Sequence, residues 1–449
     1  MKRKIYSQLL DWKRNSRGRS ALLIEGARRI GKSYIAEEFA KNEYESYLLV
    51  DFNSAPKEVK DLFENYLTDL DTFFLFLSNF YGKRLYPGKS LIILDEVQMF
   101  PRARSAIKYL VQDGRYDYIE TGSLLSIKEN IQDILIPSEE VHLTMNPMDF
   151  EEFLWAMGND VLFDLLRNRF EERKPLGQAM HRKALDLFRQ YLLVGGMPQA
   201  VEEYVKTRDF SRAIDRQKLI LTLYRSDIAK HARGDRRKCE RILDILPSQL
   251  SRHEKRFNLS LIKKGARYRD YETAFYWLDD GRIINTAYNV TMPSSALRMN
   301  EDFSSFKCYM GDTGLLFALA LERETDLQAD LYQKILFGKL NLNQGMFLEN
   351  AVAQMLVASG HPLYFYSNPS PEADERMEID FLISKGDVTS RHNICPIEVK
   401  SSSRYTLSSL RKFKSKFADE LSTPYVIHTS DLKEEDGIFY IPAYMTALL

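Results

Sequence analysis

Cysteine is scarce in this chain: three among 449 residues, Cys239, Cys308 and Cys395, far apart and without a CxxC pair. An odd set of isolated cysteines argues against a disulfide-stapled fold and a thiolate zinc site, and suits reduced thiols in a cytoplasm. Glycine (21) and proline (15) are too few for a collagen-like or low-complexity chain. No run reaches the ~18 apolar residues of a spanning helix, and the N-terminal stretch returns to charge after a short apolar run. The expectation is a cytoplasmic protein without a membrane partner. Net charge is missing too, with 63 Lys and Arg against 63 Asp and Glu, so no global field attracts a polyanion, although local basic patches remain open. The seven histidines scatter without metal-ligand spacing and give no sign of His-based nucleophilic catalysis.

What is present suffices for large cores: 44% hydrophobic residues, and 26 Phe, 25 Tyr and 3 Trp spread along the chain. At about 150 residues per domain the length suggests roughly three domains. From Ala21 the chain reads as strand, glycine turn, helix, strand, helical stretch and the apolar strand SLIILDEV, with a further helix and the strand YDYIETGS beyond. Strands too apolar to have a wet face, alternating with helices, predict a parallel sheet covered on both sides. We read residues 1–145 as this α/β domain and 146–224 as a helical lid broken by the turn Gly195-Gly196-Met197-Pro198. Residues 225–340 read as a winged-helix-like region and connector. Residues 341–449 read as a second α/β domain, with strand-like YFYS, EIDFLIS, CPIEVKSS and PYVIHTS.

The run Gly26-Ala27-Arg28-Arg29-Ile30-Gly31-Lys32-Ser33 matches GxxxxGK[ST], between a predicted strand and a predicted helix that continues through Tyr34. Glycines let such a loop curl its amides around phosphate oxygens at a helix N-terminus. Lys32 would bridge the β- and γ-phosphates of ATP, and the Ser33 hydroxyl would bind Mg²⁺. Leu91-Ile92-Ile93-Leu94-Asp95-Glu96 delivers two carboxylates to the strand edge where a phosphate loop also lies. Asp95 would hold the Mg²⁺ water shell and Glu96 would polarise the attacking water. Tyr118-Ile119-Glu120-Thr121-Gly122-Ser123 ends another strand in small hydroxyl residues, with Ser123 the expected reader of the γ-phosphate or the water.

The ordered set GARRIGKS, LIILDEVQ, YIETGS and VGGMPQAV resembles a prokaryotic family of AAA-like P-loop ATPases related to the signal-transducing STAND group. The resemblance implies ATP and Mg²⁺ as cofactors, and a Gly-x-Pro turn on the adenine, here Gly196 and Pro198. Arg28 and Arg29 also match the family, without an assigned role, as does Asp312.

In the last part, Glu349 falls on a predicted helix, Asp380 in the strand EIDF, and Glu398 and Lys400 in IEVK. Side chains two apart on a strand project together. Asp380, Glu398 and Glu349 would suit a hard Mg²⁺ ion, with Lys400 orienting a water. The D…ExK order is similar to restriction-endonuclease-like nucleases, a domain with which the family above commonly ends. Segment 225–273 carries 14 Lys and Arg against 7 Asp and Glu. Through Arg236, Arg237, Lys263, Lys264 and Arg267 it would contact nucleic-acid phosphates, or else it is a solvated face that docks on the acidic surface of another domain. The main expectation is a Mg²⁺-dependent ATPase coupled to a nuclease-like domain acting on or near DNA. The alternative is a STAND-type switch with a protein partner or a second copy of itself, its C-terminal domain inert.

Overall fold

The computed structural model describes residues 1–449 except 17, 123–138, 233, 253–254, 295, 323–343, 386–391 and 403. The chain divides into two compact units, Lys2–Asn146 and Pro147–Leu449, the latter together with Met1.

The first unit is built on β1 (Ala21–Gly26), β2 (Ser46–Asp51), β3 (Ser90–Asp95), β4 (Asp117–Gly122) and β5 (Glu140–Met145). All five run parallel in the order β2-β3-β4-β1-β5. Ala21, Leu22, Leu23 and Ile24 have no exposed surface, and every residue of β3 is buried. This is why these strands show no polar alternation: each lies under cover on both faces. The helices Ile5–Ser16, Lys32–Glu43, Lys57–Asn65, Leu70–Tyr81 and Pro101–Asp113 alternate with the strands. One core cluster gathers Phe52, Phe63, Phe73, Phe74 and Ile107 with β2 and β3 side chains. Phe63 stands edge-on to Phe52 at 5.4 Å and to Phe73 at 5.0 Å, the arrangement ring quadrupoles prefer. Because β4 lies between β1 and β3, the carboxyl ends of all three strands share one edge of the sheet. A phosphate loop, an acidic strand end and a hydroxyl-bearing strand end therefore meet there.

The second unit contains the helices Phe150–Ala156, Asp160–Glu172, Gln178–Val194, Pro198–Thr207, Phe210–His231, Arg236–Leu250, Glu272–Asp280, Thr313–Ala320, Gln344–Ala358 and Ser408–Lys416. Its strands are β6 (Ile284–Val290), β7 (Glu301–Met310), β8 (Tyr364–Asn368), β9 (Met377–Ser384), β10 (Ile394–Val399), β11 (Tyr425–His428), β12 (Lys433–Glu435) and β13 (Ile438–Pro442). They form one mixed sheet in the order β12-β13-β11-β10-β9-β8-β6-β7. β6 pairs antiparallel with β7 and parallel with β8. Residues 284–310 and 364–442 thus share a single sheet rather than standing as separate modules, a union of distant segments that local patterning does not reveal. The edge strand β12, Lys-Glu-Glu, is wholly exposed, and its charges discourage further strand pairing. From Met346 to Leu356 every residue of helix Gln344–Ala358 is buried, so this helix is apolar all round. The polar residues it does contain, Glu349, Asn350 and Gln354, are accordingly committed to internal hydrogen bonds.

Candidate functional site

At the end of β1 the chain turns sharply. A Cβ on Gly26, whose φ is 146°, would lie 2.2 Å from the Met145 carbonyl oxygen, so only glycine fits there. Arg29 also adopts a left-handed backbone, φ 69°, and Gly31 at φ 91° leads into helix Lys32–Glu43. Arg28 and Arg29 lie exposed on the loop, Ala27 and Ile30 are buried beneath it, and Tyr34 is exposed in the first turn of the helix. The Lys32 ammonium is buried and donates to the carbonyl oxygens of Gly26 at 3.1 Å and Ala27 at 2.9 Å. Burial draws its pKa down to about 8, against the opposing pull of Glu96 and Asp95.

Asp95 Oδ1 is the meeting point of the site. Ser33 Oγ donates to it at 2.7 Å, and Thr121 Oγ1 donates to the same oxygen. The next residue, Glu96, has φ 56°, a left-handed conformation that costs a non-glycine residue of the order of 1 kcal/mol. Its backbone N–H donates to Thr121 Oγ1 at 3.4 Å, and Gln98 Nε2 donates to its carboxylate. A hydroxyl and a carboxylate oxygen side by side, next to a buried lysine, form a hard-oxygen donor set of the kind Mg²⁺ takes when phosphates and water complete its shell. Ser123 lies outside the described residues. Thr121, in the same run, is the residue of β4 whose hydroxyl joins that of Ser33 on Asp95.

Behind this edge lies a buried ionisable group that sequence reading missed. Arg104 donates to Glu140 Oε1 at 3.2 Å and Oε2 at 2.7 Å, with both side chains nearly inaccessible. His142 reaches Glu140 at 2.9 Å and Glu25 at 3.4 Å. These two contacts raise its pKa to about 9, against a smaller opposing effect of burial. Glu120, fully buried beside Glu140, is pushed well above the usual carboxyl range, first by burial and then by its neighbour. Burial also acts to raise Glu140, but its neighbours Glu120, His142 and Arg104 outweigh it and hold Glu140 low.

In the second unit the turn after helix Gln178–Val194 is locked. Gly196 N donates to Asp312 Oδ2 at 2.5 Å, and a Cβ on Gly196 would lie 2.0 Å from the Met148 carbonyl oxygen. Asp312 also accepts from Leu315 N at 2.9 Å and Gln354 Nε2 at 3.2 Å. Asp312 therefore fastens the Gly196 turn, caps helix Thr313–Ala320 and ties both to helix Gln344–Ala358. Pro198 opens helix Pro198–Thr207 at its first position, where its missing N–H and fixed φ do no harm.

The C-terminal residues Glu349, Asp380, Glu398 and Lys400 come together with two that sequence reasoning did not include, Glu378 and Lys307. Lys307 Nζ lies 2.8 Å from Glu378, 3.5 Å from Asp380 and 3.8 Å from Glu349, with its side chain fully buried. Tyr309, two along β7, donates to Glu349 Oε1 at 2.6 Å. Asp380 Oδ2 accepts from Val399 N at 2.8 Å, and Lys400 Nζ donates to Glu398. Burial works to lower the Lys307 pKa, but the three acids overcome it and raise it. Among the described residues no group of three or more His, Cys, Asp or Glu is arranged to hold a metal ion. Arg236, Arg237, Lys263, Lys264 and Arg267 are all exposed, and Arg236 pairs with Glu240 at 3.0 Å.

Comparison with known proteins places an AAA domain over residues 18–154. Two families described as domains of unknown function match residues 185–326 (DUF8612) and 344–445 (DUF4143). The chain thus carries an AAA-like P-loop ATPase domain in its first unit. An uncharacterized protein of Methanocaldococcus jannaschii is 24% identical over 192 residues, covering 40% of this chain. The match spans 39% of that relative's length. Among solved structures, a Walker-type ATPase of Pyrococcus abyssi aligns at TM-score 0.41 and 17% identity, over 71% of this chain and 95% of that one. A Signal Transduction ATPase with Numerous Domains from Pyrococcus horikoshii, bearing a tetratricopeptide repeat sensor, aligns at TM-score 0.26 and 13% identity, over 80% and 49%. Drosophila ORC bound to DNA aligns at 0.27 and 12%, over 73% and 96%. Among the described residues no helix is long and apolar enough to cross a membrane.

Proposed function

We propose that this chain binds and hydrolyses ATP with Mg²⁺, and that its nucleotide state is coupled to the Pro147–Leu449 unit. The observation that carries the reading is the convergence of Ser33 and Thr121 on one oxygen of Asp95, beside Lys32. The loop amides from Ala27 to Ser33 would bind the phosphate oxygens of ATP, and Lys32 would pass from the Gly26 and Ala27 carbonyls to the β- and γ-phosphates. Ser33 and Asp95 would hold Mg²⁺, which supplies neutralisation of charge on the phosphate oxygens. Glu96 polarises the attacking water, and Thr121 orients the Asp95 carboxylate against it. Gly196 and Pro198 are the proposed adenine contact. The fixed turn that Asp312 imposes on Gly196 supports a rigid surface there.

For the C-terminal unit, the nuclease reading rests on the gathering of Asp380, Glu398 and Lys400, with the exposed basic residues from Arg236 to Arg267 as a path for DNA. The switch reading, with a protein partner or a second copy, is favoured by Lys307, whose ammonium lies among the acids that a nuclease would offer to a metal. The basic segment then packs as a winged-helix-like element on protein. Three cysteines, all buried and unpaired, support a reducing, cytoplasmic location. The test is Mg²⁺-dependent ATP hydrolysis with and without duplex DNA, while the DNA is watched for nicks. DNA-stimulated turnover with nicking supports the nuclease reading; hydrolysis indifferent to DNA, without nicks, supports the switch. Absence of Mg²⁺-dependent hydrolysis by wild type would remove the ATPase reading altogether, and turnover unchanged in Glu96→Gln would remove the role given to Glu96.

A further inference from the structure

We propose that the C-terminal carboxylate cluster takes no divalent metal because Lys307 is its resident cation. The inference concerns the second unit alone and stands or falls independently of ATP hydrolysis.

Four carboxylates, Glu349, Glu378, Asp380 and Glu398, arrive from helix Gln344–Ala358, β9 and β10. A hard cation needs several of them within direct bonding distance, at about 2.0–2.6 Å, with room for water. The space among three of them is taken. Lys307 Nζ sits 2.8 Å from Glu378, 3.5 Å from Asp380 and 3.8 Å from Glu349. Hydrogen bonds engage oxygens of three of the four as well: Glu349 Oε1 accepts from Tyr309, Asp380 Oδ2 from Val399 N, and Glu398 from Lys400. Lysine 400 thus neutralises Glu398, and Lys307 neutralises the other side of the cluster.

Lys307 is not a passing surface lysine. Its side chain has no accessible surface and its Nζ also stands 5.0 Å over the Phe365 ring. β7 presents Lys307 and Tyr309 on one face, two apart, and both reach the acids. A buried ammonium held by three carboxylates is stable only while they remain ionised around it. A divalent ion entering the same space would meet a positive charge at contact distance with no water between to screen it. The residues present therefore do not fit a metal, and no cleavage step is routed through this cluster. Its work is to join: through Lys307 and Tyr309 it ties β7 to helix Gln344–Ala358 and to β9, segments far apart in the chain.

The test uses the full-length, nucleotide-free chain and Mn²⁺, followed by the loss of the free-ion electron paramagnetic resonance signal. Wild type and Asp380→Asn are expected to bind Mn²⁺ equally, so that none of the binding depends on Asp380. Lys307→Met is expected to gain one Mn²⁺, lost again when Asp380→Asn is added, whereas Lys307→Arg stays like wild type. Mn²⁺ bound by wild type and lost in Asp380→Asn would overturn the proposal. A folded Lys307→Met that gains no Mn²⁺ would overturn it too. If Lys307→Met does not fold, the wild-type and Asp380→Asn pair decides alone.

Discussion

Ser33 Oγ donates a 2.7 Å hydrogen bond to Asp95 Oδ1 across 62 residues of sequence. The strand that bears Asp95 is not the neighbour of the strand that leads into Ser33; β4 lies between them. The contact is made at the shared carboxyl edge, and β4 contributes Thr121 to the same oxygen. Removing any member of this trio should therefore damage hydrolysis more than nucleotide binding. We expect Thr121→Ala to lower kcat for ATP about 10–100-fold and to change the Kd for ATP less than threefold. Asp95→Asn is expected to lower kcat more than 100-fold. Steady-state hydrolysis alongside equilibrium nucleotide binding measures both, and a Thr121→Ala enzyme with wild-type kcat would dismiss the role given to Thr121.

The depressed pKa of Lys32, about 8 in the nucleotide-free chain, makes ATP affinity depend on pH. Phosphates favour the charged ammonium, so binding restores a high pKa and takes up a proton once the free lysine has lost it. Affinity should be flat between pH 6.5 and 7.5 and weaken by up to tenfold per pH unit above 8. Calorimetry at pH 7, 8 and 9 checks this, and an affinity constant to pH 9 contradicts it.

The pKa of His142 is shifted in the opposite direction, and it bears on stability. Its folded pKa, about 9, stands above the usual 6.5 because of Glu140 and Glu25. Its stabilisation is complete below about pH 6.5 and disappears as pH rises through 9. The ring is nearly half exposed, so solvent screening keeps the effect modest. Thermal unfolding of wild type should lose stability between pH 6.5 and 9 relative to His142→Gln. Parallel curves for the two proteins would show that the contacts contribute nothing.

Asp312 is the buried acceptor that holds the Gly196 turn, helix Thr313–Ala320 and Gln354 together. Asp312→Ala leaves the Gly196 and Leu315 amides without their acceptor, and should cost roughly 2–4 kcal/mol in denaturant unfolding of the second unit. Asp312→Asn keeps one acceptor oxygen and should cost less. Equal losses in the two variants would mean that packing, not hydrogen bonding, explains the residue.

Much of the first unit is legible in sequence because its chemistry is local. GARRIGKS combines glycines that tolerate left-handed backbone with the lysine and serine of a phosphate loop, and LIILDE ends a buried strand in acids. What local reading misses is who stands beside whom. Nothing in the local pattern names a partner for Thr121, and only the position of β4 between β1 and β3 puts it on Asp95. Glu120, Arg104 and Glu140 read as ordinary charged residues until the sheet buries them together. The same holds for the second unit: Asp380, Glu398 and Lys400 form a visible spacing, but Lys307 belongs to a distant hairpin and no periodicity connects it to them. Asp312 shows no local pattern that explains it, since its partner Gly196 arrives from a turn and Gln354 from a separate helix.

The central claim is that the loop from Gly26 to Ser33 is an ATP site organised around Lys32, and the most direct test is equilibrium binding of ATP with Mg²⁺ to wild type and Lys32→Ala. The account predicts saturable binding by wild type and at least 100-fold weaker binding by the variant, with the fold unchanged by circular dichroism. Equal affinity in the two proteins, or no binding by wild type, would contradict it.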